Sequence, residues 1–308
     1  MKNIPTSAEI NSLFANSDPD LVWTRATGIV RRISPGYDFT LVRCVFDDVL
    51  RLFHGEYPGY SAIKTLYHDL PHTLDVFLCA VRLLHGMHIS GAQQDDDSIS
   101  LVMIATLMHD LGYMQRQGEE IGTGAQYTQT HVRRGIAFMR SYLAEQRFPS
   151  EWADRLEPVM LSTDPALKFP QIEFSDDATC ILAQIVGTAD LTGQMADRTY
   201  LEKLLFLYLE FKEAHFGNYQ STFDMLRQTK AFYESTLEKL DGPYEGVYDY
   251  LTSHFKEAMG VETNFYIESI EKNIAYLERV IALNEAEYLF MLKRGGIVER
   301  SRVIAVSD

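Results

Sequence analysis

The chain has 308 residues, 46% of them hydrophobic, and a formal net charge of −15. This length suggests one large or two ordinary domains, and the apolar content is sufficient for a sizeable buried core. The acidic balance disfavours a nucleic-acid partner, because a protein that captures phosphates along a polymer normally has a basic face.

The three cysteines, Cys44, Cys79 and Cys180, are odd in number and lie in apolar surroundings. They are typical of buried thiols in a reducing compartment rather than of a disulfide framework. The N-terminal segment lacks the apolar core of a signal peptide, and no uninterrupted apolar run reaches about 18 residues. We therefore expect a cytoplasmic protein with no membrane partner.

Helical periodicity dominates the chain, and no long alternating run of β-branched residues competes with it, so the sequence predicts an all-α protein. The run Thr6-Ser7-Ala8-Glu9 fits a capping box that opens a short first helix, and Ser17-Asp18-Pro19-Asp20 interrupts it. Later helices are predicted over 39–54, 69–88, 98–112, 126–146, 150–162, 176–194, 198–216, 222–240, 243–258 and 264–294.

We divide the chain into an N-terminal helical appendage (1–38), a catalytic core (39–216) and a C-terminal helical extension (217–308) that ends in a long amphipathic helix. That last helix carries an apolar stripe, which requires a partner surface. The stripe consists of Ile267, Ile270, Ile274, Leu277, Ile281, Asn284, Tyr288 and Met291. Docking onto the chain's own body is the favoured interpretation, and a homodimer through this helix is the alternative.

Three apolar segments each carry ionisable side chains near one end. In the first, YHDLPHTLDVFLCAV, Asp69 is suited to cap a helix and Pro71 to occupy its first turn. This leaves His72 inside the first turn and His68 just before it. Taken singly, such a histidine is usually explained by a local hydrogen bond, so the other two segments decide its meaning.

The second segment, SLVMIATLM, ends in His109 and Asp110, and the third, ATCILAQIVGTADL, contains Asp190 near its end. Burial of an unpaired carboxylate costs several kcal/mol, so two such aspartates at the ends of core helices require a cation or strong donors. Imidazole and carboxylate ligands suit Zn, Fe, Ni, Mn or Co. Two histidines and two aspartates would leave coordination positions open, which is typical of a catalytic rather than a structural metal.

The ordered elements Tyr67-His68 to His72, His109-Asp110 and Ala189-Asp190 resemble the HD-domain phosphohydrolase superfamily over residues 60–200. The opening Tyr-His-x-x-x-His is similar to cyclic nucleotide phosphodiesterases within it. The resemblance implies an HD-domain helical core with N- and C-terminal helical extensions. It also implies a divalent ion (Zn, Mn, Fe, Ni, Co or Mg) held by His72, His109, Asp110 and Asp190.

The activity implied by the resemblance is that of a phosphodiesterase or nucleotidase acting on a small phosphorylated substrate. Metal-activated water would cleave a phosphoester of a nucleotide or cyclic nucleotide, with Asp110 and His68 as the catalytic residues. His68 occupies the position where phosphodiesterase-like members keep a proton donor, and its alternative role is a local bond at the helix entry. A non-catalytic HD module for ligand sensing or scaffolding is the alternative function.

His131 is the only histidine between residues 111 and 189, and it is a candidate for a second metal or for substrate contact. Some HD proteins bind two metals through two further histidines in this interval. A six-ligand di-iron oxygenase centre is therefore incomplete unless a group such as Asp164 substitutes, so we prefer hydrolysis to oxygen chemistry. The phosphate-binding candidates, chosen because they are cationic and near the motifs in sequence, are Lys64, Arg116, Arg133 and Arg134.

Overall fold

The computed structural model describes residues 6, 10, 12–14 and 17–307. In this part the chain forms twelve α-helices joined by turns and short 3-10 helices, without a β-sheet, which confirms the all-α prediction. The helices are α1 Pro19–Ile33, α2 Thr40–His54, α3 Leu70–Ile89, α4 Asp96–Met108, α5 His131–Glu145, α6 Trp152–Leu161, α7 Asp177–Ala196, α8 Tyr200–Glu213, α9 Thr222–Asp241, α10 Tyr250–Met259, α11 Phe265–Ile281 and α12 Ile297–Ser307.

Helix α3 is the centre of the fold and packs against α1, α4, α7 and α10. Every residue from His72 to Met87 in it is buried. One continuous hydrophobic core extends from Val22 to Val298 and so includes residues of all three predicted segments. The boundaries at residues 38 and 216 remain predictions. Although α3 is long and apolar, no helix in the described part meets the requirements for crossing a membrane.

Aspartate caps fix the first residues of the helices that carry the candidate site. The Asp69 carboxylate accepts a hydrogen bond from the His72 backbone N–H at 2.9 Å, which confirms the predicted cap and places His72 in the first turn of α3. Asp95 caps α4 in the same way, and Asp176 caps α7. Each cap satisfies a backbone donor that would otherwise lack a partner.

The N-terminal region differs from the prediction. Asp18-Pro19, which was predicted to interrupt a helix, begins helix α1. The Asp18 carboxylate accepts hydrogen bonds from the backbone N–H groups of Asp20 and Leu21, and proline suits the first helical position. The predicted capping box at residues 6–9 lies mostly outside the described residues. Helices α5 and α10 begin later than predicted, and 3-10 turns at Ala125–Tyr127 and Val247–Asp249 precede them.

The predicted long helix over 264–294 is wrong, because α11 ends at Ile281 and a separate helix, α12, follows. The Asn284 side chain accepts the Ala286 backbone N–H, a local bond that favours a turn over a helix. Tyr288 then packs on Phe223 and its hydroxyl bonds to Thr222 of α9. The apolar stripe of α11 packs within the chain against α7 and α9, as the favoured interpretation predicts, and dimerisation stays untested.

Candidate metal centre and cavity

Three helices bring the four predicted metal ligands together. His72 Nε2, in the first turn of α3, lies 3.3 Å from His109 Nε2 at the end of α4. Asp110 Oδ2 lies 3.2 Å from His72 Nε2 and 3.0 Å from His109 Nε2. Asp190 Oδ1 on α7 approaches the same two nitrogens at 3.5 and 3.7 Å. The two imidazoles and two carboxylates therefore face a common centre, although they are remote in sequence.

Backbone carbonyls determine the tautomer of two of the histidines. His109 Nδ1 lies 2.8 Å from the Thr106 carbonyl oxygen, and His131 Nδ1 lies 2.7 Å from that of Thr128. Because a carbonyl only accepts hydrogen bonds, both Nδ1 atoms must donate, which leaves an unshared pair on each neutral Nε2. His131 Nε2 lies 3.5 Å from Asp110 Oδ1, so this fifth side chain borders the cluster.

The cluster has the properties of a cation site. The ligand atoms of His72, His109 and Asp110 lie within 4.8 Å of one another, and all three residues are buried. Asp110 Oδ2 is buried without a hydrogen-bond partner, although two imidazole nitrogens lie close to it. A buried carboxylate oxygen in this position is unfavourable unless a positive charge stands among the three groups. The residues present therefore fit a divalent metal ion.

The electrostatics of the cluster also favour added positive charge. Burial opposes protonation of His72, but the Asp110 and Asp190 carboxylates outweigh it and raise the pKa of His72 to about 10. Burial acts to raise the pKa of Asp110, yet His109 and His68 bring it well below its usual range. The carboxylates are thus ionised, and a bound cation would supply the charge that protons otherwise provide.

A cavity of about 470 Å³ borders the cluster, with His72, Asp110, His131 and Asp190 in its wall. Helices α8 and α9 and the segment between them supply an apolar part of the wall: Leu204, Leu207, Phe211, Phe216, Met225 and Phe232. Polar groups also line it, among them Gln194, Gln228, Thr236 and Lys239. The cavity therefore gives a small molecule access to the cluster and combines ionic, polar and apolar surfaces.

His68 also lines the cavity, and a buried glutamate that the sequence analysis missed holds it in place. Glu210 Oε2 lies 2.6 Å from His68 Nδ1, and Glu210 Oε1 accepts the backbone N–H groups of Leu66 and Tyr67. Burial lowers the pKa of His68, but Glu210 and Asp110 outweigh it and raise that pKa. The charge within the apolar run LFLYLEF of α8 is the only sequence signal for Glu210, and it does not reveal its partner.

Tyr113, four residues after His109, separates two of the site histidines. Its ring stacks on His131 with centroids 4.5 Å apart and on His68 with centroids 4.7 Å apart. The phenol ring therefore limits the movement of both imidazoles, and a polar contact at Nδ1 holds each of them as well, with Glu210 for His68 and with the Thr128 carbonyl for His131. This stacking connects the predicted proton donor to the turn that carries Asp110.

Gly112 allows the turn after Asp110 to pack directly on the start of α5. A Cβ atom at this position would lie 1.7 Å from the His131 carbonyl oxygen, far inside contact distance. Since both the turn and α5 are backbone at this point, no side-chain rotation can relieve the clash. The close approach is what brings Asp110 and His131 together at 3.5 Å.

We expect Gly112→Ala to lower the free energy of unfolding by about 3 kcal/mol or more, because two buried backbone segments must separate. Urea unfolding followed by circular dichroism would measure it. Gly28→Ala is the matched control, since Gly28 is exposed within α1 and a Cβ there meets nothing within 4 Å. That control should gain up to about 1 kcal/mol from helix propensity. Equal stability of Gly112→Ala and the native chain would contradict the packing argument.

The four predicted phosphate-binding cations do not line the cavity. Arg134 donates to the carbonyl oxygens of Gly112 and Met114 at 2.8 and 2.9 Å, so it holds the turn after Asp110 instead. Arg116 lies over the Tyr60 ring, and Lys64 and Arg133 are exposed. These four cations are therefore near the motifs in sequence, but none of them lies in the cavity wall.

The cation that does line the cavity is Lys239 of α9, which the sequence analysis missed. Its Nζ lies 5.0 Å from the Tyr244 ring centroid. Burial lowers the pKa of Lys239, and Asp190 and Asp164 oppose that effect. No sequence signal marked it, since an isolated lysine on an amphipathic helix is usually a solvated surface residue.

The described part of the chain gives the predicted di-iron alternative no second ligand set. Within the described residues, one group of three His, Cys, Asp or Glu side chains has its ligand atoms within 4.8 Å, and it contains neither His131 nor Asp164. Asp164 is buried and its Oδ1 accepts the Ala166 N–H at 2.9 Å. His131 remains a candidate for substrate contact through its position beside Asp110.

A family model described as Npun_R2479-like matches residues 117–251 of the chain. The matched part includes His131, Asp190, Glu210 and Lys239, and it ends at the start of α10, before α11 and α12. No curated protein and no solved structure matches the chain. The similarity therefore covers most of the cavity wall and one ligand helix, while His72, His109 and Asp110 lie outside it.

Proposed function

We propose that the protein is a metal-dependent phosphohydrolase of the HD type that cleaves a phosphoester of the nucleotide or cyclic nucleotide class. The observation that supports this most is the convergence of His72, His109, Asp110 and Asp190 on one centre beside a cavity. His72, His109, Asp110 and Asp190 would hold the cation. When bound, a divalent cation acidifies water and stabilises negative charge that develops on a phosphoryl group.

Asp110 and His131 are suited to orient the attacking water. Asp110 Oδ1 and the unshared pair of His131 Nε2 are two acceptors that face each other at 3.5 Å. Burial lowers the pKa of His131, although Asp110 opposes this, so its imidazole is neutral and accepts rather than donates at Nε2. A water molecule with one hydrogen to each acceptor would have its oxygen lone pair free for attack.

His68 is suited to protonate the leaving oxygen. The Glu210 carboxylate accepts a hydrogen bond from His68 Nδ1–H at 2.6 Å and favours the charged imidazolium. His68 Nε2 then carries the proton that the leaving alcohol needs, and afterwards it can recover one from solvent. Glu210 touches no reacting atom in this scheme and acts as a positioning residue.

The direct test is hydrolysis by purified protein before and after chelation. We expect dialysis against a chelator to lower turnover of p-nitrophenyl phosphate, nucleoside monophosphates or cyclic nucleotides at least about 100-fold, since water activation is lost. Readdition of Mn²⁺, Zn²⁺, Fe²⁺, Ni²⁺, Co²⁺ or Mg²⁺ in separate samples should restore it, and elemental analysis would give the stoichiometry. Unchanged turnover in metal-free protein would contradict the proposal. Tight binding of these phosphates by metal-loaded protein without turnover would favour the sensing module.

A further inference from the structure

Lys239 has a distinctive position in the cavity. Among the cavity-lining residues of the described chain it is the only lysine or arginine, and it shares the wall with the ligands Asp110 and Asp190. It extends from the last turn of α9, whereas every metal ligand comes from α3, the end of α4 or α7. The cavity thus carries one fixed positive group that the proposed metal centre does not use.

Within the described residues, the Lys239 ammonium makes no direct ion pair. No carboxylate oxygen in the described part lies within 4.0 Å of its Nζ, and its closest aromatic neighbour is the Tyr244 ring at 5.0 Å. A divalent cation would balance the two carboxylates Asp110 and Asp190. Asp164 would then remain as a carboxylate that acts on Lys239 from beyond ion-pair distance. A half-buried ammonium without a direct ion pair attracts an anion.

The apolar part of the cavity wall limits which chemical group can be attached to that anion. Leu204, Leu207 and Phe211 of α8 and Met225 and Phe232 of α9 form an apolar wall. Such a wall gains free energy when it covers an apolar or aromatic surface. A second or third phosphate would meet no further cation among the described lining residues, so a diphosphate or triphosphate chain would be poorly matched.

We propose that Lys239 binds the phosphate of the substrate and that the apolar wall selects monophosphates whose esterified group presents an aromatic or apolar face. This inference rests on the proposed phosphohydrolase function and narrows its substrate class. A nucleoside monophosphate or an aryl phosphate meets the description, and nucleoside triphosphates do not.

Binding of a phosphonate tests the inference without any turnover. Titration calorimetry on Mn²⁺-loaded protein would compare phenylphosphonate with methylphosphonate, and the ring should improve affinity by about 10-fold or more. Lys239→Met, which keeps the length of the side chain but removes its charge, should weaken phenylphosphonate binding by about 10- to 100-fold. Lys239→Arg should restore most of the affinity. The matched control is Lys230→Met, because Lys230 is exposed on the same helix.

A second measurement uses the native protein and does not depend on how a variant folds. The rate at which an acylating reagent labels each lysine is measured by mass spectrometry. Phenylphosphonate should slow acylation of Lys239 by about 10-fold or more and leave the acylation rate of Lys230 unchanged. Any one of four results would overturn the inference. These are no binding of either phosphonate, equal phenylphosphonate affinity of Lys239→Met and the native protein, equal affinity of the native protein for the two phosphonates, and no protection of Lys239 from acylation. Because none of these readouts needs hydrolysis, an inactive protein that passes them refutes the proposed activity alone.

Discussion

Asp110→Asn is expected to lower kcat/KM for phosphoester hydrolysis by about 1,000-fold or more, equivalent to about 4 kcal/mol of transition-state stabilisation. The Asp110 Oδ2 atom lies between His72 and His109, and Oδ1 faces His131. Asparagine keeps the shape of the side chain but removes the charge and introduces an N–H donor toward neutral acceptors. We therefore expect kcat/KM, measured by steady-state kinetics, and the metal content per chain to fall together.

The control for this substitution is Asp164→Asn. Asp164 is buried like Asp110, but its Oδ1 accepts a backbone N–H from Ala166, a bond that an asparagine side chain can also accept. It should keep native activity and native metal content. If Asp110→Asn retained both the metal and the rate, the assignment of Asp110 as a shared ligand would be wrong. A loss of metal in Asp164→Asn would instead return this residue to the ligand set.

His68→Asn should produce the second large effect, a fall in kcat of about 100- to 10,000-fold for substrates with a poor leaving group. An alkyl phosphate needs a proton on its departing oxygen, whereas p-nitrophenolate leaves without one. The rate with p-nitrophenyl phosphate should consequently change much less. The dependence of log kcat on leaving-group pKa, measured over a series of aryl and alkyl phosphates, separates this role from a general loss of structure.

Two further variants sharpen the interpretation of His68. Glu210→Gln should weaken the same step partially and move the basic limb of the pH-rate profile to lower pH, because loss of the carboxylate lowers the pKa of the His68 imidazolium. His215→Asn is the control histidine, since His215 is exposed and its φ of 49° suits asparagine. An equal loss for all leaving groups in His68→Asn would assign His68 to binding or packing instead of proton transfer.

Much of this arrangement follows from local sequence features. The capping of α3 by Asp69, with His72 in the first turn, depends on neighbouring residues, and the structure has it as predicted. The largely apolar runs before His109 and around Asp190 predict buried helices, and polar groups at their ends then need partners in the core. Burial predicts only that these groups need partners in the core; that His72, His109, Asp110 and Asp190 meet one another is what the resemblance to the HD-domain superfamily implied.

The residues that were missed depend on tertiary placement. Glu210 and Lys239 lie on α8 and α9, and their partners or neighbours in space come from distant parts of the chain. Their own sequence surroundings are those of ordinary amphipathic helices. The wrong extent of α11 has a related cause, since its apolar periodicity continues past Ile281 while Asn284 and the anchoring of Tyr288 turn the chain. Periodicity reports which residues are buried but not against which neighbour.

The placement of the proposed metal ligands on three helices has a consequence for the stability of the fold. A cation held jointly by α3, α4 and α7 would act as a cross-link between chain segments that are remote in sequence. Such a link adds RT ln(1 + [M]/Kd) to the unfolding free energy, about 2.7 kcal/mol when the free ion stands at 100 times its Kd. The melting temperature would thereby report the occupancy of the metal site. At low concentrations of the ion, the protein would lose both its proposed activity and part of its stability, and proteases would degrade it more easily.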